Sequence, residues 1–576
     1  MSEKWTVITK GGDYGELGRR FGVSPVVARL MRNRGIETED QARVFLGDPE
    51  SGLNDGSLLK DCDILTDILC EKIESGKHIR IIGDYDVDGV CSTYILQTVL
   101  TALGARADHV IPDRIRDGYG LNMRLIEEAK ADGVDTIITV DNGINAFEEI
   151  GRAKSLGMTV LVTDHHAVNF ETLDGKRVER LPEADAVVNP HRSGCAYPYK
   201  ELCGAAVAYR VAQVLLKKRG VGEEEGWSLC EMAALATVCD VMPLTGENRS
   251  IVRLGLEKLG HTANPGLRAL MELNCLEGKK LTTTHAGFIL GPTINAAGRL
   301  KQAELALQLL MSTNKADAMK RAQELKDLND SRKGMTNSAF EAACKFLEDE
   351  NYVNNRILVV YLKDCHESLA GIVAGKLREK YSRPSLVLTD AVTDEGKPCL
   401  KGSGRSVEAY NMFEGIDALK DILLHYGGHS QAAGFSLERG KLDEFRERLN
   451  SQCNLTDEDL MLKVKIDMVL AFKYLNTTLV DELELLEPAG TGNEAPLFAV
   501  KEVDLSGGRV LGENKNVYTA YASDGTARVR LKYFGDAEEF ENYVNQKKGK
   551  LDICYTPEIN EFRGERSLEI RVRHYA

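Results

Sequence analysis

Asp84, Asp86 and Asp88 fall within five residues of the stretch "IIGDYDVDGVCST", residues 81–93. At about 5 Å separation and an effective dielectric near 20, each carboxylate pair repels by roughly 3 kcal/mol. A chain keeps such crowding beside an apolar run only with a counter-charge, so the stretch reads as a cation site. An EF-hand loop is excluded. Its opening pattern is present through Gly89, but position twelve is Ile95 instead of a bidentate Glu. A solvated acidic turn is the ordinary meaning of adjacent aspartates. It is disfavoured here because "IRII" just ahead reads as a buried strand, which puts the acids at the carboxyl end of a strand, where open α/β sheets bind ligands.

Three more clusters follow in the same setting. "TIITVDNG" places Asp141 and Asn142 after a strand, and "VLVTDHHAV" places Asp164, His165 and His166 after the next. Asp240 follows the helical run "MAALATVC". Taken singly, an Asp after a strand is a cap and paired histidines are surface residues. Four clusters in order suit Mn²⁺ or Mg²⁺ held by carboxylates and imidazoles. A carboxylate shared between two such cations belongs to two-metal phosphoester chemistry.

The elements that must position these residues are legible. From residue 79, strands alternate with helices near 90–103, 122–131 and 145–156, which implies a mostly parallel sheet covered on both faces. "DAVVNP" reads as a further strand, "GAAVAYRVAQVLLKK" and "SLCEMAALATVC" as helices. Residues 1–75 read as helical, with Ser24 capping a helix that begins at Pro25. Residues 301–350 are polar and helical. A second α/β unit runs from "RILVVYL" to about 455. "NVYTAYASDGTARVRLKYF" is a hairpin with a Ser-Asp-Gly turn, and "LDICYTPEINEFRGERSLEIRVRHY" repeats the pattern.

The 576 residues carry a formal net charge of −15, which excludes a generically basic nucleic-acid binder. Residues 461–576 hold 16 Lys+Arg and 19 Asp+Glu, a net of −3, so the first 460 residues carry −12. Nucleic-acid contacts must then come from local basic grooves. Thirteen cysteines without a C-x-x-C pair, and no signal-like N-terminus, read as reduced thiols of a cytoplasmic protein. Cys195 and Cys203 lack the second close pair that a zinc site needs. No apolar run reaches the ~18 residues of a membrane span.

"DYDVDG", "VDNG", "DHH" and "CDVMPL" resemble, in order, the four motifs of the DHH phosphoesterase superfamily, and "GGHSQAAGF" resembles its associated second domain. More narrowly, "IPDRIRDGYGLN", "GPTINAAGRL", "GSGRS" and "EPAGTGNEAP" resemble the RecJ family of single-strand-specific 5′→3′ DNA exonucleases. The resemblance implies an α/β fold in five parts: a helical region 1–75, a parallel-sheet DHH catalytic domain 76–300, a connecting helical segment 301–352, a second α/β domain of DHHA1 type 353–457, and an OB-fold-like β-barrel 458–576. It implies two divalent cations held by Asp86, Asp88, Asp141, His165 and Asp240, with Asp141 bridging, Asp84 near the first metal, and Asp164 ligating or orienting His165. His165 and Asp141 then count as catalytic along with His166, which is expected on the scissile phosphate or the leaving oxygen.

The same resemblance places Arg114, Ser403 and Arg405 on a terminal phosphate, Asn295 and Arg299 on the nucleotide, and Gly427, Gly428 and His429 against the strand. Thr293 and Cys365 stand where the family commonly carries Arg and Trp. Arg528, Arg530 and Lys532 alternate along one strand and read either as a basic groove for DNA, with Tyr533 and Phe534 near its end, or as an ordinary solvent face. The expected activity is metal-dependent 5′→3′ degradation of single-stranded DNA to 5′-mononucleotides in repair and recombination, with the active site between the two α/β domains. The expected protein is a monomer, free of membranes, with a single-strand-binding protein and a helicase as natural partners. The alternatives are a phosphodiesterase for short oligoribonucleotides or cyclic dinucleotides, and a non-catalytic DNA-binding scaffold.

Overall fold

The computed structural model describes residues 3–576 apart from 115, 174–175, 223–225, 227, 394–395 and 563. Two compact units emerge: residues 5–292, 306–319 and 465–576 form the larger, and the smaller gathers mainly 293–305 and 320–464.

The larger unit is organised by a five-stranded sheet. Across it run Arg106–Val110, His78–Ile82, Thr136–Val140, Thr159–Thr163 and Ala186–Val188, every neighbouring pair parallel. Thr136–Val140 is buried at every position, as a strand covered on both faces must be. The chain leaves His78–Ile82 toward one edge, then returns to its other side at Thr136–Val140. The strand order therefore reverses between these two, and ligands of open α/β sheets bind outside the carboxyl ends at such a point.

Helix Val87–Ala102 is apolar around its circumference and almost wholly buried. It packs against Gly204–Lys218 and Cys230–Cys239. Elsewhere Leu125, Ile126, Ile150 and Ala153 of helices Met123–Ala131 and Phe147–Ser155 meet Ile137, Val160 and Val162 of the sheet. Val87–Ala102 starts three residues before the expected 90 because Asp86 caps it, accepting from Asp88 N at 3.0 Å and Gly89 N at 3.1 Å. Two hairpins escaped the sequence reading: Asn169–Leu173 with Lys176–Arg180, just after the histidine pair, and Leu423–His429 with Ala432–Leu437 in the smaller unit.

The C-terminal sheet has six strands: Met468–Val469 pairs parallel with Phe498–Leu511, and the other five each pair with two of one another. Phe498–Leu511 pairs with Val517–Ser523 and Lys550–Phe562, Arg528–Phe534 with Val517–Ser523 and Glu565–Tyr575, and the last two strands with each other. The expected Ser-Asp-Gly turn links Val517–Ser523 to Arg528–Phe534, and Asp524 closes it by accepting from Thr526 N and Ala527 N. The N-terminal helices are not a separate layer. Val27, Leu30, Met31, Ala42 and Phe45 share one core with Phe498, Leu531, Phe540, Ile553 and Tyr555. Polar contacts reinforce the join: Arg34 Nε donates to Asn493 Oδ1 at 2.8 Å, and Arg249 donates to the Leu485 and Leu486 carbonyls at 2.9 Å beneath the Phe45 ring. Helices this short cannot bury an apolar face among themselves.

In the smaller unit the strand order is Leu423–His429, Ala432–Leu437, Pro398–Arg405, Ser385–Val392 and Leu358–Tyr361, antiparallel except for the last pair. Helix Glu367–Tyr381 packs on Ser385–Val392 and Pro398–Arg405. The expected single segment 301–352 is two helices. Glu304–Leu310 is short, while Lys315–Asp349 has 35 residues and so spans about 52 Å. Among the described residues, no helix is long and apolar enough to cross a membrane.

Leu30→Ala, at a fully buried position, is expected to cost about 2–5 kcal/mol. Hydrogen-exchange mass spectrometry should then show lost protection in Phe498–Leu511 and Lys550–Phe562 as well as in Pro25–Asn33. Loss confined to the N-terminal helices would contradict a shared core.

Candidate metal centre

The acidic clusters converge at the carboxyl edge of the parallel sheet. Asp84 follows His78–Ile82, Asp141 follows Thr136–Val140 and Asp164 follows Thr159–Thr163. Asn142 fastens the point of reversal, its Nδ2 donating to the Ile82 carbonyl at 3.1 Å and the Val140 carbonyl at 2.8 Å. Three overlapping groups present ligand atoms within 4.8 Å of one another: Asp84 with Asp86 and Asp141, Asp88 with His165 and Asp240, and Asp141 with His165 and His166. His165 Nε2 lies 3.1 Å from Asp141 Oδ1, 3.5 Å from Asp88 Oδ2 and 3.7 Å from Asp240 Oδ2.

The backbone holds this crowd in place. Asp88 accepts from Gly204 N and Ala205 N, one to each carboxylate oxygen, both at 2.7 Å. It therefore sits on the positive N-terminus of helix Gly204–Lys218. Asp141 occupies left-handed backbone, φ 60°, and packs so closely on Gly204 that a Cβ there would lie 2.6 Å from the Asp141 Cβ. Such strain in a non-glycine residue concentrates at functional sites. The sequence reading treated Gly204 only as a helix residue. Its signal was the small-residue start "CGAAVA", which permits close approach.

Electrostatically the site is unfinished. Burial, and then the neighbouring carboxylates, push Asp84 and Asp240 up to about 8 and raise Asp86 and Asp141 as well. Asp84 Oδ1 and Asp141 Oδ1 are buried and accept no hydrogen bond. Burial lowers His165, favouring the neutral imidazole that a metal requires. Crowded carboxylates, orphaned buried oxygens and a neutral imidazole fit hard divalent cations such as Mn²⁺ or Mg²⁺.

Asp164 departs from the expected ligand role. It belongs to none of the three groups, and its oxygens accept from His165 N (2.7 Å), His166 N (3.1 Å), His166 Nδ1 (2.8 Å) and Ile144 N (2.9 Å). Burial would raise its pKa, but the hydrogen bond and charge of His166 outweigh burial and hold it low. Burial in turn pushes His166 down, while Asp164 lifts it to about 9. Asp164 is thus the orienting partner of His166 and not of His165. Tyr119, another residue the sequence reading passed over, donates from its hydroxyl to the Asp141 carbonyl at 2.9 Å and lies 3.1 Å from His166 Nδ1. Arg114 stacks over Tyr85 at 4.8 Å, and its charge draws the Asp84 pKa downward.

In the smaller unit, the first turns of helix Glu367–Tyr381 gather several expected anchors. Arg299 Nη1 donates to the Ser368 carbonyl at 2.9 Å, and Asn295 lies one turn before it in helix Gly291–Leu300. Arg405 Nη1 donates to Ser403 Oγ at 3.2 Å, and a Cβ on Gly371 would come within 2.9 Å of both side chains. Gly427, in exposed strand, has open space where a Cβ would stand. Gly428 differs: φ is 147°, and a Cβ would lie 2.4 Å from the Ala432 carbonyl, so the hairpin itself requires glycine there. His429 Nδ1 accepts from Gln431 N at 3.3 Å.

The expected basic face of Arg528–Phe534 is interrupted. Glu569, nearly buried and in register opposite Arg530, lies 3.4 Å from that guanidinium and 2.5 Å from Lys532 Nζ. Two of the three cations are thereby offset. Arg528 instead stacks on Tyr521 at 4.2 Å.

Comparison with known proteins agrees with this architecture. Family models match for the DHH family N-terminal domain over residues 78–238, the DHHA1 domain over 354–455 and the RecJ OB domain over 466–574. The single-stranded-DNA-specific exonuclease RecJ of Bacillus subtilis is 34% identical over 97% of this chain and 69% of its own. That of Salmonella typhimurium is 31% identical over 95% of both. The chain belongs to the RecJ family.

RecJ of Thermus thermophilus in complex with Mn²⁺ superposes with a TM-score of 0.83 at 27% identity, covering 100% of this chain and 79% of that one. Two departures from the usual RecJ pattern are absorbed by the structure. Thr293 is buried and its Oγ1 accepts from Asn329 Nδ2 at 3.2 Å. Cys365 is half-buried, its Sγ donating to the His366 carbonyl at 3.6 Å.

Asp141→Asn removes one charge from the crowd. The metal-free variant is expected to melt a few degrees above the parent, while Mn²⁺ should stabilise only the parent in a thermal-shift assay. Gly204→Ala should displace Asp141 and weaken Mn²⁺ binding at least tenfold by titration calorimetry. Unchanged affinity would show that the close contact is immaterial.

Proposed function

We propose that this chain is a metal-dependent exonuclease that degrades single-stranded DNA from the 5′ end to 5′-mononucleotides. The observation that carries the reading is the sharing of Asp141 and His165 among three ligand groups at the sheet's point of reversal. Two divalent cations, Mn²⁺ or Mg²⁺, would supply the positive charge that activates water and stabilises the phosphate in transition. Asp84, Asp86 and Asp141 would hold one, and Asp88, Asp141, His165 and Asp240 the other.

The chain's own groups have distinct tasks. Asp88 keeps its position through two backbone donors. Asp164 accepts a hydrogen bond from His166 Nδ1, which would leave Nε2–H free to donate to a phosphate or leaving oxygen. Against burial, the Asp164 carboxylate raises the His166 pKa, the direction a proton donor needs. Arg114 would meet phosphate at the rim of this centre. In the smaller unit Ser403, Arg405, Arg299 and Asn295 would hold a strand phosphate, since guanidinium forks match phosphate oxygens. Gly427 and His429 would let backbone and imidazole approach the strand. In the C-terminal module the pairs Arg528–Tyr521 and Arg571–Phe534, at 4.2 and 4.5 Å, suit stacking on bases. Arg530 contributes less because Glu569 offsets it. The resemblance and membership together support a role in DNA repair and recombination, with a helicase and a single-strand-binding protein as natural partners; a cytoplasmic monomer is the form proposed.

Purified protein should be given 5′- and 3′-labelled single strands, a duplex and a short RNA, each with Mn²⁺, Mg²⁺ or chelator. The expected outcome is 5′ label released first as mononucleotide, only with metal, and lost by at least 10³-fold in Asp141→Ala. Cleavage confined to the short RNA would replace this reading with a small-substrate phosphodiesterase. DNA binding without turnover would replace it with a scaffold.

A further inference from the structure

Helix Cys230–Cys239 closes with Val241 N donating to the Val238 carbonyl at 3.2 Å and Met242 N to the Thr237 carbonyl at 3.1 Å. This closing pattern puts the residue after the cap in left-handed backbone, where glycine is the usual choice. Here the residue is Val241, with φ 57°. A β-branched side chain resists that conformation. Packing does not compensate, because Val241 is 66% exposed.

A second anomaly lies against the same turn. Residues Ala286–Leu290 form a single π-helical turn, a feature that recurs at functional sites. The turn is pressed onto the end of Cys230–Cys239. Cys239 Sγ donates to the Ala286 carbonyl at 3.7 Å, and a Cβ on Gly291 would come within 2.2 Å of that sulfur. A Cβ on Gly287 would lie 3.3 Å from Val238. The turn presents Phe288, the most exposed large apolar side chain among the described residues, at 77%. Asp240 of the metal centre is the cap residue immediately before Val241. Neither the strained valine nor the phenylalanine is buried by the described residues.

We infer that Val241 and Phe288 form an apolar seat for an unstacked base of the strand whose phosphate lies at the metal centre. The inference rests on the nuclease reading above. Carboxylates and cations engage phosphate and offer nothing to the base, whose flat face needs an apolar partner. Stacking of this kind tolerates every base and is available only when a base is free of its neighbours. A duplex keeps its bases stacked and paired. The seat therefore favours a single strand by chemistry, in addition to any exclusion by shape.

The test compares the parent with Phe288→Ala, Phe288→Tyr and Val241→Gly on an ordinary single strand and on one whose 5′ nucleotides are abasic tetrahydrofuran residues. Phe288→Ala should raise KM about tenfold on the ordinary strand with kcat within twofold, as expected for loss of one stacked base. Phe288→Tyr should restore it. The penalty should vanish on the abasic strand. Val241→Gly should melt higher than the parent and still show the raised KM. Equal KM for Phe288→Ala and the parent, or an equal penalty on both strands, would overturn the seat while leaving the nuclease reading intact. A parent that releases no nucleotide with Mn²⁺ would overturn both.

Discussion

Like charges at close quarters are the constraint on which the larger unit depends. Five aspartates and two histidines gather their ligand atoms at one sheet edge, and several are held by the backbone before any cation arrives. Asp86 spends an oxygen on the start of its own helix, and Asp88 rests on the start of another. Asp141 accepts left-handed backbone to stay beside Gly204. The unfavourable electrostatics are thus built into rigid elements and cannot relax by side-chain rotation. That rigidity distinguishes a preorganised cation site from a loose acidic surface.

The support extends well behind the ligands. Helix Gly204–Lys218, whose N-terminus seats Asp88, carries the fully buried Arg210, which bonds Glu247. Glu247 also accepts from Tyr197 Oη at 2.7 Å and from Asn54 N and Nδ2 at 3.1 and 2.7 Å. A buried ion pair contributes only as far as its remaining hydrogen-bonding capacity is met; Glu247 is well supplied with donors, while Arg210 Nε is buried without a partner. The network ties the helix beneath the metal centre to the segment before Gly56 and to helix Gly246–Gly260. Arg249 on that last helix reaches the C-terminal module. Position of the ligands and docking of the C-terminal sheet are therefore set by adjoining residues of one helix.

Much of the site was legible because its signals are local. Acids immediately after apolar strands, in chain order, need no tertiary knowledge to be read as a sheet-edge cluster, and helix Gly204–Lys218 begins and ends where its composition changes. What escaped was set by contacts between distant residues. The role of Asp164 turns on four donors that no spacing rule reveals. Glu569 lies 39 positions from Arg530, and only the parallel register brings them together. Gly204 reads as an ordinary helix start until the fold places Asp141 against it. The hairpin at Leu423–His429 was obscured by its glycines, which weaken strand propensity, although Gly428 is the one its close backbone contact requires.

The joint core of the N-terminal helices and the C-terminal sheet also bears on how the protein is made. Val27 to Phe45 leave the ribosome first, yet their packing partners begin at Leu470. At about 5–20 residues per second, roughly 20–90 s separate the two segments. During that interval the helices must stay uncommitted or shielded, and the parallel-sheet region can fold while its flank is bare. Residues from Leu470 onward seal it. Until they emerge, the nascent chain displays an apolar helical flank, the kind of surface that chaperones and proteases recognise, before its nuclease centre could be used.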